Sequence, residues 1–188
     1  MIQEGTIIKN EIRDKINQTE IENRVELSTI QKILLSIRGP ITTILDVLYG
    51  EVNLFMLDQH YEKADRRIAD LVNIAEGDEI DYREVIIHKN GRPLVYVLSY
   101  IPTSRCTEGI LEDLKGEVLT TGKIIDKNNI ETMRIIKRID VEKPTPILKE
   151  LFKTDEDMLT REYVMEHDKK IVIWTKESYP LSYFRECD

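Results

Sequence analysis

The chain has 188 residues, 41% of them hydrophobic, which predicts one globular domain with a sizeable core. The formal net charge of −8 disfavours nucleic-acid binding, because an acidic surface repels phosphate backbones. The three histidines and two cysteines lack metal-ligand spacing. We therefore expect no metal site, and two free thiols, Cys106 and Cys187, in a reducing compartment.

The amino-terminal residues show no export or membrane signal. Residues 1–10 contain no basic segment that leads into an apolar stretch, which argues against a signal peptide. No apolar run approaches the roughly 18 residues that cross a bilayer. We expect a cytoplasmic protein with no membrane partner, and the oligomeric state stays open between monomer and dimer.

Residues 1–26 form a polar, charge-rich segment ahead of the main domain, which we place at residues 27–188. Within this segment Ile8, Ile12 and Ile16 recur every four positions. That spacing predicts a short amphipathic helix.

Two further helices are predicted to meet at residues 38–40. Ser28 is a typical cap for the first of them. Pro40 favours the start of the second, where its missing N–H costs nothing, and Gly50 marks its end. The apolar stripe of the first helix consists of Ile30, Ile33, Leu34 and Ile37.

The clearest strand signal is a hairpin in the middle of the chain. Residues 82–89 and 92–102 are rich in β-forming side chains, and they flank Asn90-Gly91. This pair is typical of two-residue hairpin turns, because both residues tolerate a positive φ. The sequence therefore predicts two adjacent antiparallel strands.

The remaining patterns complete an α+β domain, an antiparallel sheet with helices packed against it. Residues 61–75 are compatible with either a helix or a linker. The other predicted strands are residues 52–57, 130–139, 161–165 and 170–179, and the other predicted helices are residues 107–114 and 145–152.

Two charged residues fall on apolar strand faces. Arg83 shares its face with Val85 and Ile87, and Glu177 continues an alternating run that starts at Ile171. A buried guanidinium must be paired or must meet an anion, because an unpaired buried charge is costly. From the pattern alone a structural pair or an exposed strand end is commoner than a ligand site, so both interpretations stay open.

The start of the second helix offers a different kind of candidate. The backbone N–H groups of Ile41 and Thr42 lie in a first helical turn, where no intrahelical partner exists. Such N–H groups suit an anion. The alternative is ordinary capping by water or a side chain.

Taken together, these stretches resemble the chorismate lyase-like superfamily, and more closely its branch related to the mycobacterial chorismate pyruvate-lyase. The resemblance runs from about Leu27 to Pro180 and rests on several blocks in the right order. The matching blocks are residues 38–42, the strand ending near Gln59, Arg83-Glu84-Val85-Ile86-Ile87, Ser99-Tyr100-Ile101-Pro102, Thr121-Gly122 and Glu177-Ser178-Tyr179-Pro180.

The resemblance implies a six-stranded antiparallel sheet with helices on one side and a ligand pocket under helical flaps. It implies conversion of chorismate, a small anionic ring, to 4-hydroxybenzoate and pyruvate without a cofactor. Arg83 would bind the ring carboxylate, assisted by the backbone amides of Ile41 and Thr121. Glu177 would face the hydroxyl end and take part in proton transfer, so Arg83 and Glu177 are the expected catalytic residues.

The sequence departs from the family pattern at several positions. Arg38 replaces an Asp, Pro40 replaces a small polar residue, and Thr121 stands where Leu is usual. Amide contacts tolerate such changes, except that Pro40 has no N–H. The alignment also leaves Lys176 as an alternative to Glu177, and we choose Glu177 because a lysine has no carboxylate.

One alternative function shares the same fold, namely a non-catalytic domain that binds an aromatic acid or senses an effector. Regulators of that kind carry a DNA-binding domain, and the 26 residues before Leu27 are too few for one. The acidic net charge agrees with this argument. A chorismate lyase and a ligand-binding domain therefore stand as the two hypotheses.

Overall fold

The computed structural model describes residues 2–116, 124, 127, 128 and 130–185, with side chains from residue 11 onward. In this part of the chain the helices are α1 (Ile2–Asn23), α2 (Thr29–Ser36), α3 (Ile41–Tyr49), α4 (Arg66–Val72), α5 (Glu108–Gly116) and α6 (Pro146–Phe152), with a 3₁₀ turn at Thr103–Arg105. The strands are β1 (Asn53–Lys63), β2 (Glu79–Lys89), β3 (Arg92–Pro102), β4 (Met133–Glu142), β5 (Met158–His167) and β6 (Lys170–Pro180).

The six strands form one sheet in the order β1-β2-β3-β6-β5-β4, and each neighbouring pair is antiparallel. Two three-stranded meanders therefore meet where β3 pairs with β6. At that junction Tyr96 lies opposite Ser178, and Tyr100 lies opposite Trp174. The predicted α+β fold with a single antiparallel sheet is confirmed.

Each meander contains one tight turn, between β2 and β3 in the first and between β5 and β6 in the second. Asn90 and Gly91 have φ angles of 50° and 81°, so the predicted Asn-Gly hairpin turn is confirmed. Asp168 and Lys169, at 48° and 62°, make the same kind of turn without a glycine. Strand β5 extends beyond its predicted bounds at both ends and β6 extends by one residue, because pairing runs from Met158 opposite Pro180 to His167 opposite Lys170.

The large core lies on one face of the sheet, as the helices-on-one-side arrangement requires. Helices α1, α2, α3 and α5 cover this face, and their apolar side chains pack on those of the strands. Its members include Ile16, Leu34, Leu35, Ile41, Leu45, Ile110 and Leu114 from the helices and Ile87, Val95, Ile136, Leu159, Tyr163 and Tyr179 from the strands.

Two short helices, α4 and α6, pack on the opposite face and add to the expected arrangement. Helix α4 covers a cluster that contains Tyr100 and Trp174, whose rings stack with centroids 5.1 Å apart. Helix α6 covers Tyr96 and Met158. The extra cover follows from the sequence, since β2, β3 and β6 carry apolar residues on both faces.

The first helix is longer than the predicted short segment and packs on the edge strand β4. Ile16 is buried in the main core, and the Thr19 hydroxyl donates to the carbonyl oxygen of Ile139 at 3.0 Å. Residues 61–75, which the sequence left open, divide between the end of β1 and helix α4. None of the described helices is long and apolar enough to cross a membrane.

Candidate active site

A small cavity lies between the sheet and the start of α3. Most of its wall is apolar, and a small set of polar and charged side chains interrupts that wall. The lining consists of Pro40, Ile41, Thr42, Leu54, Arg83, Val85, Ile87, Val97, Ser99, Arg134, Tyr163 and Glu177. Such a wall is typical of a small-molecule site, because few polar groups orient a ligand that apolar surface encloses.

Arg83 reaches the cavity from β2, where it pairs with Ser99 of β3. Its side chain is only 1% exposed. Burial lowers the pKa of Arg83, while the nearby Asp81 carboxylate acts in the opposite direction. An arginine starts from so high a pKa that it remains a cation, so a positive charge lies at this wall.

Asp81 is the acidic neighbour of Arg83 and is itself buried. One of its carboxylate oxygens accepts a hydrogen bond from Gln59 Nε2 at 2.9 Å. Burial raises the pKa of Asp81, and the Gln59 hydrogen bond and the Arg83 charge oppose that rise. The local field at Arg83 therefore depends on how far this carboxylate ionises.

Glu177 reaches the same cavity from β6 and is 2% exposed. Its Oε2 accepts two hydrogen bonds from Arg161, from Nε at 3.0 Å and from a terminal nitrogen at 2.5 Å. Its Oε1 accepts one from the Tyr163 hydroxyl at 3.1 Å. Burial raises the pKa of Tyr163 to about 12, so this hydroxyl keeps its proton at neutral pH.

Arg161 also holds the end of helix α2. Its second terminal nitrogen donates to the carbonyl oxygens of Leu34 at 2.6 Å and Ile37 at 2.9 Å. These carbonyls belong to the last turn of a helix, where no intrahelical donor remains. The Glu177 pair thus connects β6, β5 and the end of α2, the helix that precedes the cavity-lining start of α3.

Lys176, the alternative in the alignment, lies on the opposite face of β6. Its amine contacts Glu142 at 2.6 Å and Glu162 at 3.6 Å. Because strand residues alternate between faces, Glu177 and not Lys176 points into the cavity. This orientation agrees with the choice of Glu177, whose role stays a prediction.

The start of α3 forms one end of the cavity, with Ile41 and Thr42 buried against it. Pro40 occupies the cap position and provides no side-chain cap. The first hydrogen bond of the turn runs from Thr43 N to Pro40 O at 3.2 Å. The amides of Ile41 and Thr42 precede it, so they keep the free first-turn geometry that suits an anion.

The fourth predicted site residue, Thr121, lies outside the described residues. The expected amide contact from Thr121 therefore stays a prediction.

The sequence did not predict two residues that line the cavity, Arg134 and Tyr163, nor Arg161, which lies behind them and pairs with Glu177. Arg161 and Tyr163 alternate in phase along β5, and Arg134 is in phase with Ile136 on β4. The alternation that picked out Arg83 could have found all three. The centroid of the Tyr163 ring lies 4.5 Å from the Arg134 guanidinium carbon and 5.3 Å from that of Arg161, so both cations contact this ring.

Residues 35–186 match a family described as chorismate pyruvate-lyase, Rv2949c-like. The chain belongs to this family. One similar protein is named “Putative lyase MJ0807”, from Methanocaldococcus jannaschii, and is 33% identical over 180 residues. That alignment spans 92% of this chain and 86% of the relative. The resemblance inferred from the sequence blocks is confirmed.

Solved structures similar to this family member show the same fold at low sequence identity. The effector domain of PhnF from Mycobacterium smegmatis has a TM-score of 0.62 at 16% identity, covering 76% of this chain and 88% of that one. The C-terminal domain of a histidine utilization repressor from Pseudomonas syringae has a TM-score of 0.59 at 14% identity, covering 73% and 97%. The chorismate lyase fold is therefore shared with ligand-binding domains of regulators.

The geometry of the family member allows a particular kind of chemistry. Its lining offers a buried cation and a helix start, which suit an anionic group. It also offers a buried carboxylate oxygen and a protonated phenol, which suit a hydroxyl group.

Proposed function

We propose that this protein is a chorismate pyruvate-lyase, which converts chorismate to 4-hydroxybenzoate and pyruvate. The observation that carries the proposal is the cavity in which buried Arg83 and buried Glu177 both face one largely apolar space. Membership of the chorismate pyruvate-lyase family supports the same assignment.

Arg83 would bind the ring carboxylate of chorismate. A guanidinium presents a planar fork of donors that matches a carboxylate, and burial strengthens the contact. The first-turn amides of α3, at Ile41 and Thr42, would share this negative charge. The Thr121 amide, predicted from the family pattern, would be a further donor.

Glu177 would serve the hydroxyl end. Its Oε1 contacts Tyr163 and would accept a hydrogen bond from the C4 hydroxyl of the ring. Its Oε2 is held by Arg161, so the carboxylate has a defined orientation before the ligand arrives. Such pre-orientation reduces the entropy cost of reaching the reactive geometry.

The reaction breaks the C3–O bond to the enolpyruvyl group and removes the proton from C4. The electrons of that C–H bond form the third double bond of the ring, which becomes aromatic. The leaving group departs as the enol form of pyruvate and takes up a proton at carbon. The change is redox-neutral, and a positioned carboxylate that assists proton transfer contributes about 10²–10⁴-fold.

The direct test is to incubate the purified protein with chorismate and to follow 4-hydroxybenzoate and pyruvate. We expect both products in equal amounts, faster than in a protein-free control. Binding of 4-hydroxybenzoate without turnover would contradict the lyase assignment and favour a ligand-binding domain.

Two variants test the roles proposed for Arg83 and Glu177. Arg83→Ala should weaken 4-hydroxybenzoate binding by about tenfold or more, because a charge-assisted contact is lost. Glu177→Gln should lower kcat more than it weakens binding. Lys176→Ala, one residue away on the opposite face, is the control and should leave both quantities within about twofold. If Lys176→Ala lost turnover and Glu177→Gln did not, the assignment of Glu177 as the catalytic carboxylate would be wrong.

A further inference from the structure

Buried positive charge exceeds buried negative charge in and around the cavity. Among the described residues, the buried arginines are Arg83, Arg134 and Arg161, and the buried acids are Asp81 and Glu177. Arg161 forms an ion pair with Glu177 at 2.5 Å, and the Asp81 charge acts on Arg83. Each of these two arginines thus has an acid nearby, and Arg134 is the third cation.

Arg134 contacts no carboxylate in the part of the chain that the structure describes. One terminal nitrogen donates to the carbonyl oxygen of Gly39, and the other lies 4.0 Å from the sulfur of Met165. Its guanidinium carbon lies over the Tyr163 ring. These groups are uncharged, so they contact the terminal nitrogens and one face of the guanidinium without neutralising its charge.

The Nε of Arg134 is buried and has no hydrogen-bond acceptor among the described residues. The side chain is 7% exposed and lines the cavity. A buried donor without an acceptor, on a cation without a counter-ion, costs free energy in the empty protein. An anionic ligand group in the cavity would remove both costs at once.

We propose that Arg134 binds a second carboxylate of the ligand, the one on the enolpyruvyl side chain. This inference rests on the proposed function, because it takes chorismate as the ligand. Chorismate is a dianion, and Arg83 at one position and Arg134 at another provide one cation for each carboxylate. Glu177 and Tyr163 then contact the hydroxyl between them.

The arrangement lets the site discriminate between substrate and product. Chorismate carries both carboxylates, whereas 4-hydroxybenzoate keeps only the ring carboxylate after pyruvate has left. Arg134 therefore contributes to substrate binding and loses its partner once the C–O bond is broken. Its contact favours the dianion over the monoanion, which limits inhibition by the product.

A purely structural role makes a different prediction. If Arg134 served only to hold Gly39 near the start of α3, its loss would distort the whole ligand site. Binding of monoanions and dianions would then weaken by the same factor. The ratio of the two affinities therefore separates the roles.

The experiment uses two stable aromatic probes and isothermal calorimetry. The dianion is 3-(carboxymethoxy)-4-hydroxybenzoate, and the matched monoanion is 3-methoxy-4-hydroxybenzoate, which lacks only the second carboxylate. We expect the unmodified protein to bind the dianion more tightly. Arg134→Gln should lower dianion affinity by about tenfold to a hundredfold and monoanion affinity by less than about threefold.

Arg138→Gln is the matched control, because Arg138 is an exposed arginine on the same strand that pairs with Asp140, Glu142 and Glu162. It should leave both affinities unchanged. Arg134→Lys keeps the charge and should retain part of the preference. Equal binding of the two probes by the unmodified protein would overturn the inference, whatever the variants do, and so would an equal loss for both probes in Arg134→Gln.

The outcome is distinguishable from the test of the proposed function. A dianion preference that depends on Arg134, in a protein that does not turn over chorismate, would refute the lyase and keep the second carboxylate site. Turnover of chorismate with no dianion preference would support the lyase and refute the second carboxylate site.

Discussion

At the scale of single residues, charged side chains lie on the sheet face that also carries the main core. Arg83, Arg134, Arg161 and Glu177 each occupy a strand position in phase with apolar neighbours. Alternation along a strand marked Arg83 and Glu177 as candidates in advance, although the pattern alone left a structural pair or an exposed strand end open for both. It could not show that Glu177 pairs with Arg161, because a partner on the adjacent strand is set by sheet register.

Cys106 provides a test of burial at this scale. Burial raises the pKa of its thiol to about 12. In the unfolded chain a cysteine titrates near pH ~8.5, so above that pH the unfolded state loses a proton that the folded state keeps. Stability should therefore fall as the pH rises from about 8.5 towards 10, by less than ~1.4 kcal/mol per pH unit because the thiol is partly exposed.

The check is urea unfolding between pH 7 and pH 10, for the natural protein and for Cys106→Ala. The variant should lose part of the alkaline decline in unfolding free energy and keep the rest, which comes from buried tyrosines whose pKa values are also raised. Parallel curves for the two proteins would mean that Cys106 titrates normally.

At the scale of elements, local signals located most boundaries correctly. The Ser28 side chain accepts from Gln31 N at 3.1 Å while the Gln31 side chain accepts from Ser28 N at 2.9 Å, a capping box at the start of α2. Residues 61–75 were ambiguous because Tyr61 belongs to a strand that continues to Lys63, while Asp65 caps a helix. Where an edge strand continues into polar residues, the alternation of apolar and polar side chains that identifies a strand is lost.

The hairpin turn gives a prediction at the element scale. Gly91 has a φ of 81°, and no atom within 4 Å would meet an added Cβ. Gly91→Ala should therefore cost about 1–2 kcal/mol through backbone strain alone. Gly39→Ala is the control, since its Cβ would meet only Ile37 side-chain atoms at ordinary contact distance, 3.7 Å.

Chemical denaturation of the two variants measures the difference directly. We expect Gly39→Ala to stay within about 0.5 kcal/mol of the natural protein. Equal losses in the two variants would show that the turn tolerates a side chain and that φ does not determine its cost.

At the scale of the whole molecule, the junction of β3 and β6 brings distant segments to one cavity. Arg83 comes from the first meander, whereas Arg134, Arg161, Tyr163 and Glu177 come from the second. The helices that cover the cavity are tied to the rest of the fold. Gln31 Nε2 donates to the carbonyl oxygens of Leu181 and Tyr183, both at 2.8 Å.

Arg161 gives the prediction at this scale, because it joins the sheet to the end of α2. Arg161→Met leaves the buried Glu177 carboxylate without its cation, and breaking such a pair costs about 3–5 kcal/mol. Lys176→Met is the control, since the more exposed pair with Glu142 is worth less than about 1 kcal/mol. Thermal unfolding followed by circular dichroism compares them.

A double variant isolates the pair itself. Arg161→Met combined with Glu177→Leu should recover much of the lost stability, because apolar residues of similar volume replace two buried charges. Strictly additive losses would contradict an ion-pair explanation and point to packing or to the Leu34 and Ile37 carbonyls.

By itself the sequence determined the fold class, the Asn90-Gly91 hairpin turn and the start of α2, and it placed Arg83 and Glu177 in phase with apolar strand residues. These properties depend on neighbours a few residues apart, where periodicity, capping and backbone preference act. Only the tertiary structure decided which charges share the cavity, why Arg161 takes Glu177, and why Arg134 is left without an acid among the described residues. Those facts follow from strand order and register, which bring together residues from both meanders, and a local pattern contains no information about either.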